Sequence, residues 1–293
     1  MYTIYLTGGE FHMDNHTLTG EQLISFKHQL RSEEREQSTI EKYMREVRLF
    51  QAWLAGRVVT AEIVASWKGY LRTEGYKSDT INSKLSALNK FFKFMGWQEC
   101  QMKYLKIQRK LFRGTEKDLT KEEYMRLIAT AASLGKARLA LLIETICATG
   151  IRVSEVRYIT AEAIQTGCAD IALKGKIRTI LLPSKLCRKL QKYAKKQKIT
   201  SGELFLTRSG KGISRRQIWA EMKALCKKAN VAPSKVFPHN LRHLFARTFY
   251  RACRDVAKLA DVLGHSSIET TRIYLISTGI EHARQLERLG LIS

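Results

Sequence analysis

Pro238-His239-Asn240-Leu241-Arg242-His243, followed by Leu263-Gly264-His265 and then by Tyr274, is the stretch that decides how this chain is read. A proline suits the first turn of a helix. Residues three apart share a helical face, so His239 and Arg242 can point at one anion. His243 lies four residues from His239, a spacing that invites a metal. The segment lacks the glutamate of HExxH, however, and Arg242 would repel a dication, so no metal is expected and His243 is the better candidate for a structural role. Farther upstream, Arg152 follows the helix-ending Gly150, on a turn that can present a side chain to a ligand. Tyr274 sits between Ile273 and Leu275, and by itself it also reads as an amphipathic core residue. Phenols ionise near pH ~10, so a nucleophilic tyrosine needs neighbouring cations or a base.

Composition narrows the ligand. The chain has 293 residues, a length that favours two domains, and 44% of them are hydrophobic. Lys and Arg total 51 against 27 acidic residues, a formal net charge of +24. Such a chain self-repels unless a polyanion is near, and nucleic acid is the usual one. A membrane surface competes for that role, but no apolar run approaches the ~20 residues that span a bilayer. Met1 to Asn15 lacks the pattern of a signal peptide, which leads us to expect a cytoplasmic, nucleoid-associated protein. The six cysteines form no CxxC pair, so neither a zinc ribbon nor a disulfide framework is expected.

Only three prolines occur, at 183, 233 and 238, and the long proline-free N-terminal part favours helices. Thr19-Gly20-Glu21-Gln22 and Ser38-Thr39-Ile40-Glu41 read as capping boxes. Apolar spacing places two more helices after Thr60 and from Ser78. Lys103 to Lys117 is basic and weakly periodic, as a linker would be. A fresh capping box, Thr120-Lys121-Glu122-Glu123, opens a second domain. Gly150 ends an apolar helix through Leu139, Leu142, Ile143 and Ile146. Ala169 to Leu182 reads as a β-hairpin turning at Lys174-Gly175-Lys176. Ser184, Ser214 and Ser266 are expected N-caps, the last two within capping boxes. The division expected is a 1–18 extension, a 19–102 helical domain, a 103–117 linker and a second domain over 118–293. On the first domain, Lys42, Arg45 and Arg48 recur every three residues, and Lys84, Asn89, Lys90 and Lys93 line the fourth helix. Either set is a solvated face or a grip on DNA phosphates, and the chain-wide excess of positive charge weighs toward the grip.

These elements together resemble the tyrosine recombinase (phage integrase) family. The strings that carry the resemblance are Ala148-Thr149-Gly150-Ile151-Arg152-Val153-Ser154-Glu155, Lys174-Gly175-Lys176, His239-Asn240-Leu241-Arg242-His243, Leu263-Gly264-His265-Ser266-Ser267 and Thr270-Thr271-Arg272-Ile273-Tyr274. Their order and gaps are family-like, and the layout is closest to the simple two-domain, Xer-like members. The resemblance implies a mainly α fold: a four-helix DNA-clamping domain, then a mostly helical catalytic domain with a small antiparallel sheet. It implies that Arg152 and Arg242 hold the scissile phosphate, that His239 and His265 hydrogen-bond it, and that Lys174 protonates the leaving 5′ oxygen, with Lys176 a rival for that role. Tyr274 would attack to form a 3′-phosphotyrosyl bond, with Glu155 supporting the site. It further implies no cofactor, a homotetramer on two double-stranded DNA sites, and a C-terminal segment that docks on a neighbouring protomer, with packing on its own chain as the alternative. Two other readings remain open at this point: a type IB topoisomerase-like relaxing enzyme, and a basic DNA-binding protein with a silent site.

Overall fold

The computed structural model describes residues 16–107, 116–173, 176–265, 267–272, 274 and 287–288. The chain separates into two compact units, Met1–Arg109 and Lys110–Ser293. Each is built mainly of helices, and the second also holds a two-stranded antiparallel sheet.

Among the described residues, four helices form the first unit: α1 (Gly20–Ser32), α2 (Gln37–Leu54), α3 (Ala61–Thr73) and α4 (Ser78–Met95). The Thr19–Gln22 capping box forms in both directions, and the Thr60 side chain caps α3. The Ser38 box does not form. α2 begins earlier, with Glu36 at its N-cap, and Glu41 instead accepts a hydrogen bond from Gln37 at 2.8 Å. The core is aromatic, with Phe26, Phe50, Trp67, Phe91 and Phe92 fully enclosed. After α4 the chain turns back and is pinned along it. Asn89 brackets the Met102 peptide with bonds of 2.8 and 2.9 Å, and Asn82 brackets Leu105 with bonds of 2.9 and 2.8 Å. The first residues of the expected linker are thus held against a helix.

The second unit opens with α5 (Lys121–Ser133), started by the complete Thr120–Glu123 capping box, and α6 (Ala137–Thr149). α6 is apolar nearly all round, as a helix buried on most sides must be, and packs between α5 and α10 (Pro238–Cys253). A 3-10 turn (Val153–Tyr158), α7 (Ala161–Thr166), β1 (Cys168–Leu173), β2 (Lys176–Leu181) and α8 (Ser184–Gln197) follow α6. Ser184 is the first residue inside α8 rather than its cap, because Pro183 occupies the N-cap. Next in the chain is α9 (Arg215–Ala229), where Ser214 caps the backbone of Gln217 as expected. The reciprocal half of that box is replaced by a 3.2 Å bond from Gln217 to Glu221. Beyond α10 come α11 (Val256–Leu263) and α12 (Ile268–Arg272). The hairpin tip Lys174-Gly175, Ser266, and nearly all of the segment after Tyr274 lie outside the described residues. Among the described residues, no helix is long and apolar enough to cross a membrane.

Candidate active site

Three helix ends build the site. α6 ends at Gly150, whose φ of +65° is left-handed, and a Cβ there would overlap the Phe245 ring of α10. Glycine is therefore required twice at this point, by conformation and by space. The turn delivers Arg152, whose backbone N–H donates to Glu155 Oε2 at 2.7 Å and whose Nη1 donates to Glu155 Oε1 at 3.0 Å. Glu155 itself is buried, while Arg152 stays exposed. The carboxylate thus fixes both ends of the arginine and leaves the guanidinium open to a ligand.

Arg242 is only 2% exposed. Pro238 at the first turn of α10 sets its register, and Asn240 ties that turn down by donating to the Lys117 and Lys235 carbonyls at 2.7 and 2.8 Å. Arg242 Nη1 donates to the Gly150 carbonyl, and Nη2 donates to the Leu263 carbonyl at 2.8 Å. Both acceptors belong to helix ends, where carbonyls lack intrahelical partners and the helix dipole is negative. Arg152 Nη2 reaches the Gly264 carbonyl of the same α11 terminus at 3.4 Å. Burial lowers the Arg242 pKa, and interaction with Tyr274 works in the opposite direction.

His265 follows the α11 terminus. Its Nε2 lies 2.8 Å from Arg242 Nη2, and its Nδ1 lies 2.8 Å from Thr271 Oγ1. Because a guanidinium can only donate, Nε2 must accept and Nδ1 must carry the proton. Burial, followed by the positive charges of Arg242, Arg152 and Arg178, pushes the His265 pKa down to about 4. The ring is therefore neutral at pH 7. Tyr274 packs into this cluster at 6% exposure. It stacks on His265 with ring centroids 5.6 Å apart and 10° between planes, and lies 4.4 Å from His243 and 5.9 Å from His239. The structure thus gathers Arg152, Glu155, His239, Arg242, His265 and Tyr274. His243, buried between Tyr274 and His239, walls one side.

Two participants escaped the sequence reading. Thr271 accepts the Nδ1 proton of His265. Arg178 on β2 donates to Glu155 Oε2 at 2.5 Å and to the Val262 carbonyl at 3.3 Å. Its Nε is buried without a hydrogen-bond partner among the described residues. Its signal was strand alternation. Arg178 pairs with Ile171, and the neighbouring pair on the same face is Ala169–Ile180, all three apolar partners being buried. A cation on the apolar face of a strand calls for a partner.

The residues proposed to contact DNA on the first unit differ in their surroundings. Lys42, Arg45, Arg48 and Lys93 are exposed. Lys84 is not a free cation: it is buried and bonded to Glu46 at 2.6 Å. Asn89 is spent on the Met102 peptide, and Lys90 holds Glu33 at 2.7 Å, drawing that carboxyl down to about 2. Lys84 and Asn89 are therefore engaged in contacts within the unit, which the sequence expectation did not include. Helical spacing put them on the polar stripe, and only the approach of α2 and of the returning chain covers them. Among the described residues, one cluster offers metal-ligand types, His16, Glu99 and Cys100 in the first unit. The Cys100 thiol is pushed up to about 12 by burial and by Glu99, which favours the thiol over the metal-binding thiolate.

A buried tyrosine among guanidiniums and imidazoles, on a mainly helical scaffold with a small sheet, defines the class: a tyrosine recombinase. Residues 117–279 match the phage integrase family, and residues 23–99 match the phage integrase N-terminal SAM-like domain. The tyrosine recombinase XerA of Pyrococcus furiosus is 30% identical over 96% of this chain and 98% of its own length. The tyrosine recombinase XerD of Rhizobium meliloti is 28% identical over 81% of this chain and 84% of its own. The chain belongs to the phage integrase family. Its fold is shared by XerH bound to its difH substrate, with a TM-score of 0.67 at 21% identity, covering 91% of this chain and 84% of that one. A lambda integrase tetramer bound to a Holliday junction aligns with a TM-score of 0.71 at 18% identity, covering 89% and 78%.

Proposed function

We propose that this chain is a site-specific recombinase that cuts and rejoins double-stranded DNA through a covalent bond to Tyr274. The observation that carries the reading is Tyr274 packed against His239, His243 and His265 beside Arg242, all within one chain. In the reaction, the Tyr274 oxygen bonds to phosphorus as the bond from phosphorus to the 5′ oxygen breaks. The phenol loses its proton, and the departing oxygen gains one. Lys174, which lies outside the described residues, is the proposed donor. Arg152 and Arg242 bind the non-bridging oxygens, whose negative charge grows toward the transition state, so fixed guanidiniums favour that state over the substrate. His239, exposed at the mouth, is the proposed proton acceptor. One phosphodiester is exchanged for another, so rejoining needs no external energy source.

DNA is the proposed partner because of the +24 charge and because relatives of this fold are DNA-bound. A tetramer joining two sites through a Holliday junction is proposed from the lambda integrase assembly. The domain division 19–102 and 118–293 belongs to the same proposal, the first domain clamping the duplex and the second cutting it. So does docking of the segment after Tyr274 on a neighbouring protomer. The test uses duplexes selected from random sequence by binding to the protein, then nicked beside the cleavage position so that cleavage is trapped. A detergent-resistant adduct is expected with the native chain and none with Tyr274→Phe. No adduct at all, or one that survives the substitution, would sink the reading.

A further inference from the structure

Arg178 makes contacts that join three separate parts of the site, and the roles proposed above leave it unused. It lies on β2, the strand that leaves the hairpin tip. One arm of its guanidinium grips Glu155 Oε2 at 2.5 Å, and the other reaches the Val262 carbonyl at 3.3 Å. Glu155 in turn holds Arg152 through the backbone N–H and Nη1. Val262 lies within the last turn of α11, three residues before His265. The Arg178 side chain also lies directly beneath Gly264, where a Cβ would overlap its Cδ and Nη1. Gly264 has a φ of +63°, so conformation and space both call for glycine there.

We propose that Arg178 is a positioning residue that locks the strand of the hairpin, the Arg152 turn and the α11 end into one rigid frame. The proposal rests on the recombinase reading given above. Its physical basis is the geometry of the guanidinium, whose planar fork presents donors in two fixed directions. A lysine ammonium carries the same charge but cannot hold the Glu155 carboxylate and the Val262 carbonyl in one plane. Glu155 has two oxygens and three donors upon them: the Arg152 N–H and Arg178 on Oε2, and Arg152 Nη1 on Oε1. Without Arg178, the carboxylate is tied to Arg152 alone, and the two can shift together relative to the α11 end. Misplacing a phosphate-binding group by about 1 Å costs on the order of 10²-fold in rate. Arg178 itself is mostly covered and faces its protein partners, so DNA affinity should not depend on it.

The test compares the native chain with Arg178→Met and Arg178→Lys. Methionine keeps an unbranched stem on the apolar strand face beside Ile171 and removes the donors. Lysine keeps the charge and guards against a folding failure of the first variant. Single-turnover adduct formation on the trapped substrate is expected to fall about 10²-fold in both, with DNA affinity within about twofold of native. In a Glu155→Gln background, Arg178→Met should cost much less, because the arginine acts through that carboxylate. Native-rate cleavage by the variants would overturn the proposal. So would full rescue by lysine, a parallel loss of DNA affinity, or an undiminished loss in the Glu155→Gln background. A native chain that forms no adduct overturns the recombinase reading and this one with it. A native chain that cleaves normally beside an equally fast Arg178→Met overturns only this one.

Discussion

Each unit of the chain buries a cation, and the two do it in opposite ways. In the four-helix unit, Lys84 is enclosed against Glu46 at 2.6 Å. Burial raises the Glu46 pKa, but hydrogen bonds from Lys84 and Arg45 outweigh it and the net shift is downward. The pair is neutral as a whole and has little field left for a ligand. In the catalytic unit, Arg242 bonds to two backbone carbonyls and to a neutral imidazole. Helix ends supply partial negative charge, enough to hold a guanidinium but not to cancel it. The last turn of α11 and its cap collect three arginines in this way, through Val262, Leu263 and Gly264. Glu155 is the one carboxylate bonded to them among the described residues. A cation neutralised by a carboxylate holds a fold together, whereas a cation cradled by dipoles keeps its charge for an anion.

The sharpest break in this comparison is Arg242→Met. Removing a fixed donor to a developing oxyanion typically costs ~10²–10³ in rate. Cleavage of the trapped substrate should fall by at least that factor. The substitution also strips the donors from the Gly150 and Leu263 carbonyls, each buried acceptor costing about 1–3 kcal/mol when left unpaired. Lower thermal stability is therefore expected along with the rate loss. An Arg242→Met variant that cleaves normally would show that the dipole-held charge serves no anion.

Lys84 tests the other half. Lys84→Met should destabilise the chain by about 3–5 kcal/mol, because it leaves Glu46 buried with only the exposed Arg45 as partner. Adding Glu46→Gln should recover much of that loss. DNA affinity of the folded variant should be unchanged. Lys93→Glu, at an exposed position on α4, should do the reverse. The melting temperature should hold while DNA binding weakens and its salt dependence shallows by about one counterion per lost contact. Equal effects of the two substitutions on DNA binding would erase the distinction. Lys90 is a poorer probe, since reversing its charge would set a carboxylate against Glu33.

The same contrast explains what could be read from the chain beforehand. The Thr19 and Thr120 capping boxes, the apolar α6 and the Gly150 turn were legible because each is decided within four or five residues. The order of Arg152, His239, Arg242, His265 and Tyr274 was legible because a family pattern carries it. The contacts of Lys84 and Asn89 were not legible because their partners arrive from α2 and from the Met102 peptide, 38 and 13 residues away. The Ser38 box failed for a local reason, a competing bond from Gln37 to Glu41. Arg178 was readable in principle, as a charge on the buried face of a strand. Its partner, however, is Glu155, 23 residues earlier, and no local rule joins them.

The smallest expected effect concerns His265. Its proton sits on Nδ1 facing Thr271, and Nε2 accepts from Arg242. Protonating Nε2 would put a cation against Arg242 and remove that acceptor. This is why burial and Arg242 depress the pKa from 6.5 to about 4. The sign follows from which state takes up the proton first. As pH falls from about 6.5 toward 4, the unfolded chain binds a proton that the folded site refuses, so folding weakens across that window. Above it, His265 contributes nothing to the pH dependence of stability. The ring resonance should therefore titrate near pH 4 in the native chain. In Arg242→Met it should titrate nearer the ordinary value, since both the charge and the hydrogen bond are gone. A native midpoint near 6.5 would mean that neither burial nor the neighbouring arginines press on the ring.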